Sequence, residues 1–569
     1  MLALASASVS AQGELTTRVS VGTGGIEGNG FAHTRTAISS DGGAVVFCGD
    51  ADNLVPGDTN GVGDIFLFER ATARTFRLSV DSAGAQANGL SFFPSVSADG
   101  RVVAFQSSAS NLVAADTNGC EDVFVHDRLT ATTVRVSVDS AGLAGDGASS
   151  WPALSADGRY VAFFSSATNL VGGDTNLSTD VFVHDRVTGN TTRVSVGPGG
   201  AQANAGSARP SMSADGRFVA FHSSASNLVP GDANGVADVF VVERATLGLE
   251  RVSVGPGGLE ASGASNTATI SADGAVVAFE SLASNLVPGD GNGCMDAFVR
   301  DRPAGTTARA SVSSLGGEGS LPSFKPALSG DGGRVAFYGE SPEFVPGDAN
   351  ALADAFLFER ASGLTRRLSV DPLGGEADGA SSLPAVSTDG RFVVFASFAT
   401  NLVAGDANGE NDVFLRDLAP ATVVIRCAAK TNSLGCVPAM SALGAASASA
   451  ASGFVLSAAD VRNQKVGMLL YGLDGPAAVP FQGGLLCVAS PIRRVPGSSS
   501  GGSASGNDCT GVLAVDWNAF ARGALGGNPH PTLSTPGTVV EAQWWGRDPG
   551  FAPPNNTTLS DGAQFTVGV

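Results

Sequence analysis

Histidine is scarce in this chain, with five among 569 residues. No two of them stand at a spacing that suits a shared metal ion, and no Gly-x-Ser-x-Gly elbow occurs. Histidine-ligated metal chemistry and serine-elbow hydrolysis therefore lack their signatures. Basic residues are also few: 33 Lys and Arg face 53 Asp and Glu, a formal net charge of −20. Contact with phosphates needs a basic surface, so nucleic acid is excluded as an expected partner, and cations or basic surfaces are favoured instead. No apolar run approaches the roughly 18 residues of a membrane helix, so no transmembrane segment is expected. No two cysteines are separated by two residues, which argues against zinc.

What the chain does have is glycine, 76 residues of it, together with short β-branched runs. That composition suits an all-β protein with many turns. The runs recur. Asp41, Asp99, Asp157, Asp215, Asp273, Asp331 and Asp389 follow one another at 58 residues. Seven copies of one unit fill residues 15–425, and a fixed period of this size signals a repeat architecture.

The second copy shows the plan. Residues 93–97 form a short strand, and Ala98-Asp99-Gly100 a tight turn suited to Asp and Gly. Residues 101–106 form a second strand, a long loop follows, and residues 122–127 and 134–138 supply the third and fourth. Four antiparallel strands make a propeller blade and seven blades close a ring. The Ser-x-Asp-Gly-Arg-x-Val-x-Phe core, followed by Asp-Val-Phe-Val-x-Asp, resembles the TolB-like, WD-repeat-like β-propeller repeat of bacterial envelope proteins. The resemblance implies the fold and carries no single activity, because unrelated functions use propellers.

Strands of the Arg-Val-Ser-Val type number eight, if residues 421–426 are included, whereas the other three types number seven. Residues 16–21 are therefore expected to complete the last blade, made otherwise from 381–418, which removes an open edge. The alternative is that 421–426 closes that blade and 16–21 is a leader. The first-to-second and third-to-fourth turns are short; the other two connections are long and emerge on one face. That long-loop face is where a protein or glycan ligand is expected.

Each second-to-third loop carries Asp-x-Asn-x-x-x-Asp: Asp58, Asn60, Asp64; Asp116, Asn118, Asp122; Asp174, Asn176, Asp180; Asp232, Asn234, Asp238; Asp290, Asn292, Asp296; Asp348, Asn350, Asp354; and Asp406, Asn408, Asp412. Two readings stand. Calcium takes six to eight hard oxygens, often from alternating Asp and Asn side chains around a glycine turn. Alternatively, these side chains accept backbone N–H bonds and form Asx turns. Residues that break the seven-fold pattern include His33, Trp151, Lys325 and Glu343, and they form no recognisable set in the sequence. A pair of catalytic carboxylates is not excluded.

After residue 425 the period stops. Residues 426–569 read as a C-terminal β-sandwich and resemble modules found behind propellers in exported bacterial proteins. Trp545 and Trp517 are its candidate ligand-stacking residues. Its four cysteines, Cys427, Cys436, Cys487 and Cys509, allow three disulfide pairings; local pairing, Cys427–Cys436 and Cys487–Cys509, is favoured, against four reduced thiols. Residues 1–14 read as a signal-peptide remnant or flexible lead, Val9-Ser10-Ala11 resembling the end of a secretory signal. The expected location is secreted, extracellular or periplasmic. The expected function is a non-enzymatic exported binding or scaffold protein with an acidic, calcium-candidate loop face. The alternatives are a polysaccharide-active hydrolase or lyase with carboxylates at the channel mouth, and a cell-surface structural protein.

Overall fold

The computed structural model describes residues 15–372, 374–418, 424–426, 430–443, 454–462, 464–474, 476–482, 484–500, 509, 511–534, 538–548 and 557–566. The expected lead at 1–14 lies outside them. The chain forms two compact units, one of residues 16–417 and one that includes residues 418–569.

In the first unit six sheets repeat one plan, each with four antiparallel strands in chain order. The second is Ser91–Val96, Val102–Ser107, Asp122–Asp127 and Thr132–Arg135. The first strands of successive sheets touch one another around a closed circuit, from Ala32–Ile38 through to Ser381–Val386 and back. They surround the axis, and the fourth strands lie outermost. The fold is a seven-bladed β-propeller.

Burial follows from this plan. The second and third strands are covered on both faces by neighbouring blades, so they read as unbroken apolar runs instead of alternating ones. Val102–Ser107 and Asp122–Asp127 are buried at every position. Between the first two blades Val46, Ile65 and Leu67 pack against Val103, Phe105 and Phe124. Full burial of each such side chain contributes roughly 1.5–3 kcal/mol. The outer strand Thr132–Arg135 has only Thr133 buried, and its composition is correspondingly mixed.

The seventh sheet closes the ring. Its order is Leu15–Arg18, Asp412–Asp417, Phe392–Ser397, Ser381–Val386, so the N-terminal segment supplies the outer strand. The Val19 N–H donates to the Val413 carbonyl at 2.8 Å beyond the strand proper. Val424–Arg426 instead pairs with Thr557–Thr566 in the second unit.

The Ser-x-Asp-Gly turns also join the blades. Within each turn the Ser hydroxyl donates to the Asp carboxylate, as Ser97 does to Asp99 at 2.6 Å. Gly100 takes φ 71°, a left-handed conformation that costs glycine nothing. The residue between Ser and Asp donates its N–H to the same residue of the next blade: Ser40 to Ala98 at 3.0 Å, Ala98 to Ala156 at 2.8 Å, Ala156 to Ala214 at 2.8 Å. The series runs on through Ala272 to the Gly330 carbonyl. Thr388 closes it by donating its hydroxyl to that of Ser40 at 2.7 Å. The belt satisfies turn amides that would otherwise need water.

The second unit has an antiparallel sheet in the order Val424–Arg426, Thr557–Thr566, Val539–Arg547, Val466–Gly472, Arg493–Arg494, with Ser498–Ser499 also on Val466–Gly472. A second sheet pairs Ala439–Leu443, Val455–Val461 and Gly511–Asp516. Both contribute to one core that includes Leu456, Ala458, Leu469, Tyr471, Leu513, Val540 and Trp544.

The local disulfide pairing is corrected. Cys436 bonds to Cys509, 73 residues away, with Cα atoms 6.3 Å apart. Ala439–Leu443 and Gly511–Asp516 flank Val455–Val461 and run parallel to each other. The cysteines that precede them therefore arrive at the same end of the sheet. Cys487 is disulfide-bonded too, and Cys427 lies outside the described residues.

Candidate functional site

The Asp-x-Asn loops come first, because they recur in every blade. In each, one arginine of the outer strand reaches both aspartates. Arg77 is 2.9 Å from Asp58 and 3.6 Å from Asp64; Arg135 is 2.9 and 3.0 Å from Asp116 and Asp122; Arg193 is 2.9 and 3.1 Å from Asp174 and Asp180. Arg251 is 3.4 Å from both Asp232 and Asp238, and Arg309 is 3.4 Å from both Asp290 and Asp296. Arg367 is 3.5 and 3.3 Å from Asp348 and Asp354. In the seventh blade the arginine is Arg18 of the N-terminal strand, 3.1 and 3.4 Å from Asp406 and Asp412.

A serine two residues after that arginine donates its hydroxyl to the second aspartate, as Ser137 does to Asp122 at 2.5 Å and Ser20 does to Asp412. The asparagines hold the loop. Asn118 donates to Asp122 at 2.8 Å and to the Gly145 carbonyl at 3.0 Å, and accepts the Cys120 N–H at 3.2 Å. Asn60, Asn176, Asn234, Asn292 and Asn408 make the same bond to their aspartates, and Asn350 donates to the Ala377 carbonyl at 3.1 Å. The first aspartates titrate high. Burial, and next the charge of Asp354 or Asp412, pushes Asp348 and Asp406 up to about 6. Among the described residues one carboxylate group, Glu27, Asp406 and Asp412, is close enough to share an ion. The Arg18 guanidinium already touches all three.

The axis is different. Each first strand carries a bulge where its register with the second strand shifts, between Phe92 and Ser95 in the second blade. The third residue of the strand there takes a positive φ: Phe93 50°, Trp151 58°, Arg209 51°, Thr267 43°, Lys325 50° and Leu383 55°. None of the six is glycine, although a left-handed backbone costs other residues roughly 1–2 kcal/mol. Glycine would relieve the strain but bring no side chain to the axis. In the first blade the bulge is longer, Ala32 to Thr36, and contains Arg35.

The conformation recurs and the identities do not. Arg35, from the first blade, lies over the Trp151 ring of the third at 4.7 Å from its centroid; Arg209 lies at 4.9 Å and Lys325, from the sixth blade, at 5.9 Å. Phe93 packs on the same indole with centroids 4.3 Å apart. Contacts between blades that are not neighbours place this cluster on the axis.

Thr267 links the cations to one carboxylate. Arg209 and Lys325 donate to its hydroxyl at 3.1 and 3.2 Å, and it donates to Glu280 at 2.8 Å. Glu280 also accepts the Lys325 N–H at 2.8 Å, and the Lys325 ammonium lies 4.0 Å away. Burial, then Arg209, lowers the Arg35 guanidinium to about 10. Burial, opposed by Glu280, lowers Lys325. Burial, then Arg209 and Lys325, lowers His222 to about 4, so it is neutral. Arg35 Nη1 and His222 Nδ1 are buried with no hydrogen-bond partner.

Of the symmetry-breaking residues expected from sequence, Trp151 and Lys325 come together. His33 pairs with Asp50 at 2.6 Å, and Glu343 accepts from Ser320 at 2.8 Å. Sequence reading missed Arg35, Arg209, Glu280 and His222. The available signal was the variable column 58 residues apart that holds Trp151 and Lys325. In the second unit, Trp517 is buried against Tyr471, Phe520 and Phe565, so it offers no stacking surface. Trp545 is half-buried, and its neighbour Trp544 is buried in the core.

No family model matches the chain, and no curated protein matches it. Solved structures do. Oligogalacturonate lyase from Vibrio parahaemolyticus is 14% identical over 71% of this chain and 93% of its own, with a TM-score of 0.44. TolB from Acinetobacter baumannii is 15% identical over 69% and 80%, with a TM-score of 0.32. The propeller domain of the Trilobed protease from Pyrococcus furiosus is 12% identical over 68% and 93%, with a TM-score of 0.41. What they share with this chain is the propeller. The expectation of a non-enzymatic scaffold with an acidic binding face is corrected. The carboxylates of that face are already engaged by arginine and serine, as Asp116 and Asp122 are by Arg135 and Asp122 by Ser137.

Proposed function

We propose that the chain is an exported enzyme acting on a polysaccharide bound at the axis of the propeller, entering from the long-loop face. One observation carries the reading: the only described cluster that gathers side chains from non-neighbouring blades is the non-repeating set around Trp151. An indole face is a platform for a sugar ring, and residues that do not recur are free to serve a ligand. Within that set Glu280 is the one carboxylate, so hydrolysis by a carboxylate pair lacks its second member there and a lyase is favoured. Export is supported by the Cys436–Cys509 disulfide. Among the described residues no helix is long and apolar enough to cross a membrane.

The Asp-x-Asn loops are read as ion-paired clamps between the loop and the outer strand. An arginine stands where a calcium ion would, and Asn118 makes the Asx bond to Cys120. Calcium at Glu27, Asp406 and Asp412 would have to displace Arg18. The purified chain is to be incubated with a panel of neutral and acidic polysaccharides. New reducing ends, lost in Trp151→Ala, are expected. Their absence across the panel overturns the enzyme reading.

A further inference from the structure

From the charges at the axis we infer that the sugar bound there is anionic, carrying a carboxylate or sulfate group held by Arg35, Arg209 and Lys325. The inference rests on the axial polysaccharide site proposed above and names its substrate class.

Three cations and one carboxylate meet around a single indole, in a protein whose formal net charge is −20. In the loop clamps the chain neutralises its arginines: each touches two aspartates. At the axis it does not. Arg35 and Arg209 have no carboxylate partner among the described residues, and Arg209 donates only to the neutral Thr267 hydroxyl. Like charges held this close in a partly desolvated place repel, and a fold keeps such an arrangement where a ligand of opposite sign completes it.

One donor also points to an unfilled acceptor: Arg35 Nη1 is buried and makes no hydrogen bond. A buried guanidinium nitrogen without an acceptor costs free energy that an anionic oxygen would recover. Glu280 is not that acceptor: its oxygens accept from Thr267 and the Lys325 N–H, and no bond joins it to Arg35 Nη1. Trp151, with Arg35 on its ring and Phe93 against it, supplies the flat apolar wall. Guanidinium, ammonium and indole together fit a charged group attached to a sugar ring better than a free inorganic anion.

The test uses the full chain, with thermal shift and calorimetry at constant ionic strength. The probes are galacturonate, glucuronate, galactose 6-sulfate, galactose, acetate and inorganic sulfate. The charged sugars are expected to raise Tm and bind, carboxylated and sulfated arms telling which group is preferred. Galactose is expected to do neither. Arg209→Met and Lys325→Met, checked for folding by circular dichroism, are each expected to weaken binding about tenfold or more, equivalent to ~1.4 kcal/mol. Galactose binding as well as galacturonate overturns the inference and leaves the polysaccharide reading standing. Acetate or sulfate binding as well as the charged sugars overturns it too, because the site then recognises no ring. Charged-sugar binding without product from any polysaccharide supports the inference and overturns the enzyme reading.

Discussion

The loop clamps and the axial cluster are built from the same residue types and differ in how charge is settled. In each clamp an arginine with about a tenth of its side chain accessible bridges two nearly inaccessible aspartates, as Arg193 does for Asp174 and Asp180. At the axis Arg35, Arg209 and Lys325 crowd one aromatic ring, and of the three Lys325 alone approaches a carboxylate, Glu280 at 4.0 Å, among the described residues. The clamp appears seven times and the cluster once. Repeated chemistry that is internally complete holds the fold; unrepeated chemistry left incomplete is available to a ligand.

The sharpest way to break this comparison is to empty a clamp. Arg193→Met leaves Asp174 and Asp180 buried without their cation, and a loss of roughly 3–5 kcal/mol is expected in denaturant unfolding. A loss no larger than that of an exposed substitution would mean that the clamps do not carry stability. Ser20→Ala, which removes the hydroxyl donor to buried Asp412 in the closing blade, is expected to cost roughly 1–3 kcal/mol by the same measurement. An equal effect from Ser137→Ala would confirm that the N-terminal strand is an ordinary blade strand.

Titration sharpens the comparison. Asp406 is held near 6 in the folded chain by burial, with Asp412 adding to the effect, against an ordinary value of 3.8. The folded state therefore binds more protons than the unfolded state between about pH 4 and 6. The contribution of this group is fully present below the lower value and is lost as pH rises through the upper one. Lowering pH from 7.5 to 5 should raise the stability of the native chain relative to Asp406→Asn. A difference independent of pH would show that Asp406 is ionised throughout.

The smallest effects are expected where the two regions differ most. Arg209→Met should change stability by no more than about 0.5 kcal/mol, since it removes a repulsion and no ion pair. A chelator should leave Tm unchanged, because arginine fills the clamps; a fall in Tm restored by calcium would return the loops to the metal reading.

Much of the propeller was legible. The 58-residue period, the surplus strand at 16–21 and the Asp-Gly turns are local patterns, and each maps onto an observed strand or turn. The site was legible only in outline. Trp151 and Lys325 stood out as exceptions, but they lie 174 residues apart in sequence. Arg35, Arg209 and Glu280 belong to no motif of their own. The cysteines misled for a related reason: neighbours in sequence were favoured, whereas a sheet brings together the ends of strands far apart in the chain.

By itself the sequence determined the blade, the number of blades and the chemistry that each repeats, because apolar strand runs, turn residues and periodicity act within one unit of chain. Only the tertiary structure decided which arginine answers which aspartate, which cysteine meets which, and that seven left-handed or bulged positions converge on one axis. Closing a ring places residues from every repeat around a single point, and that juxtaposition depends on all seven blades at once.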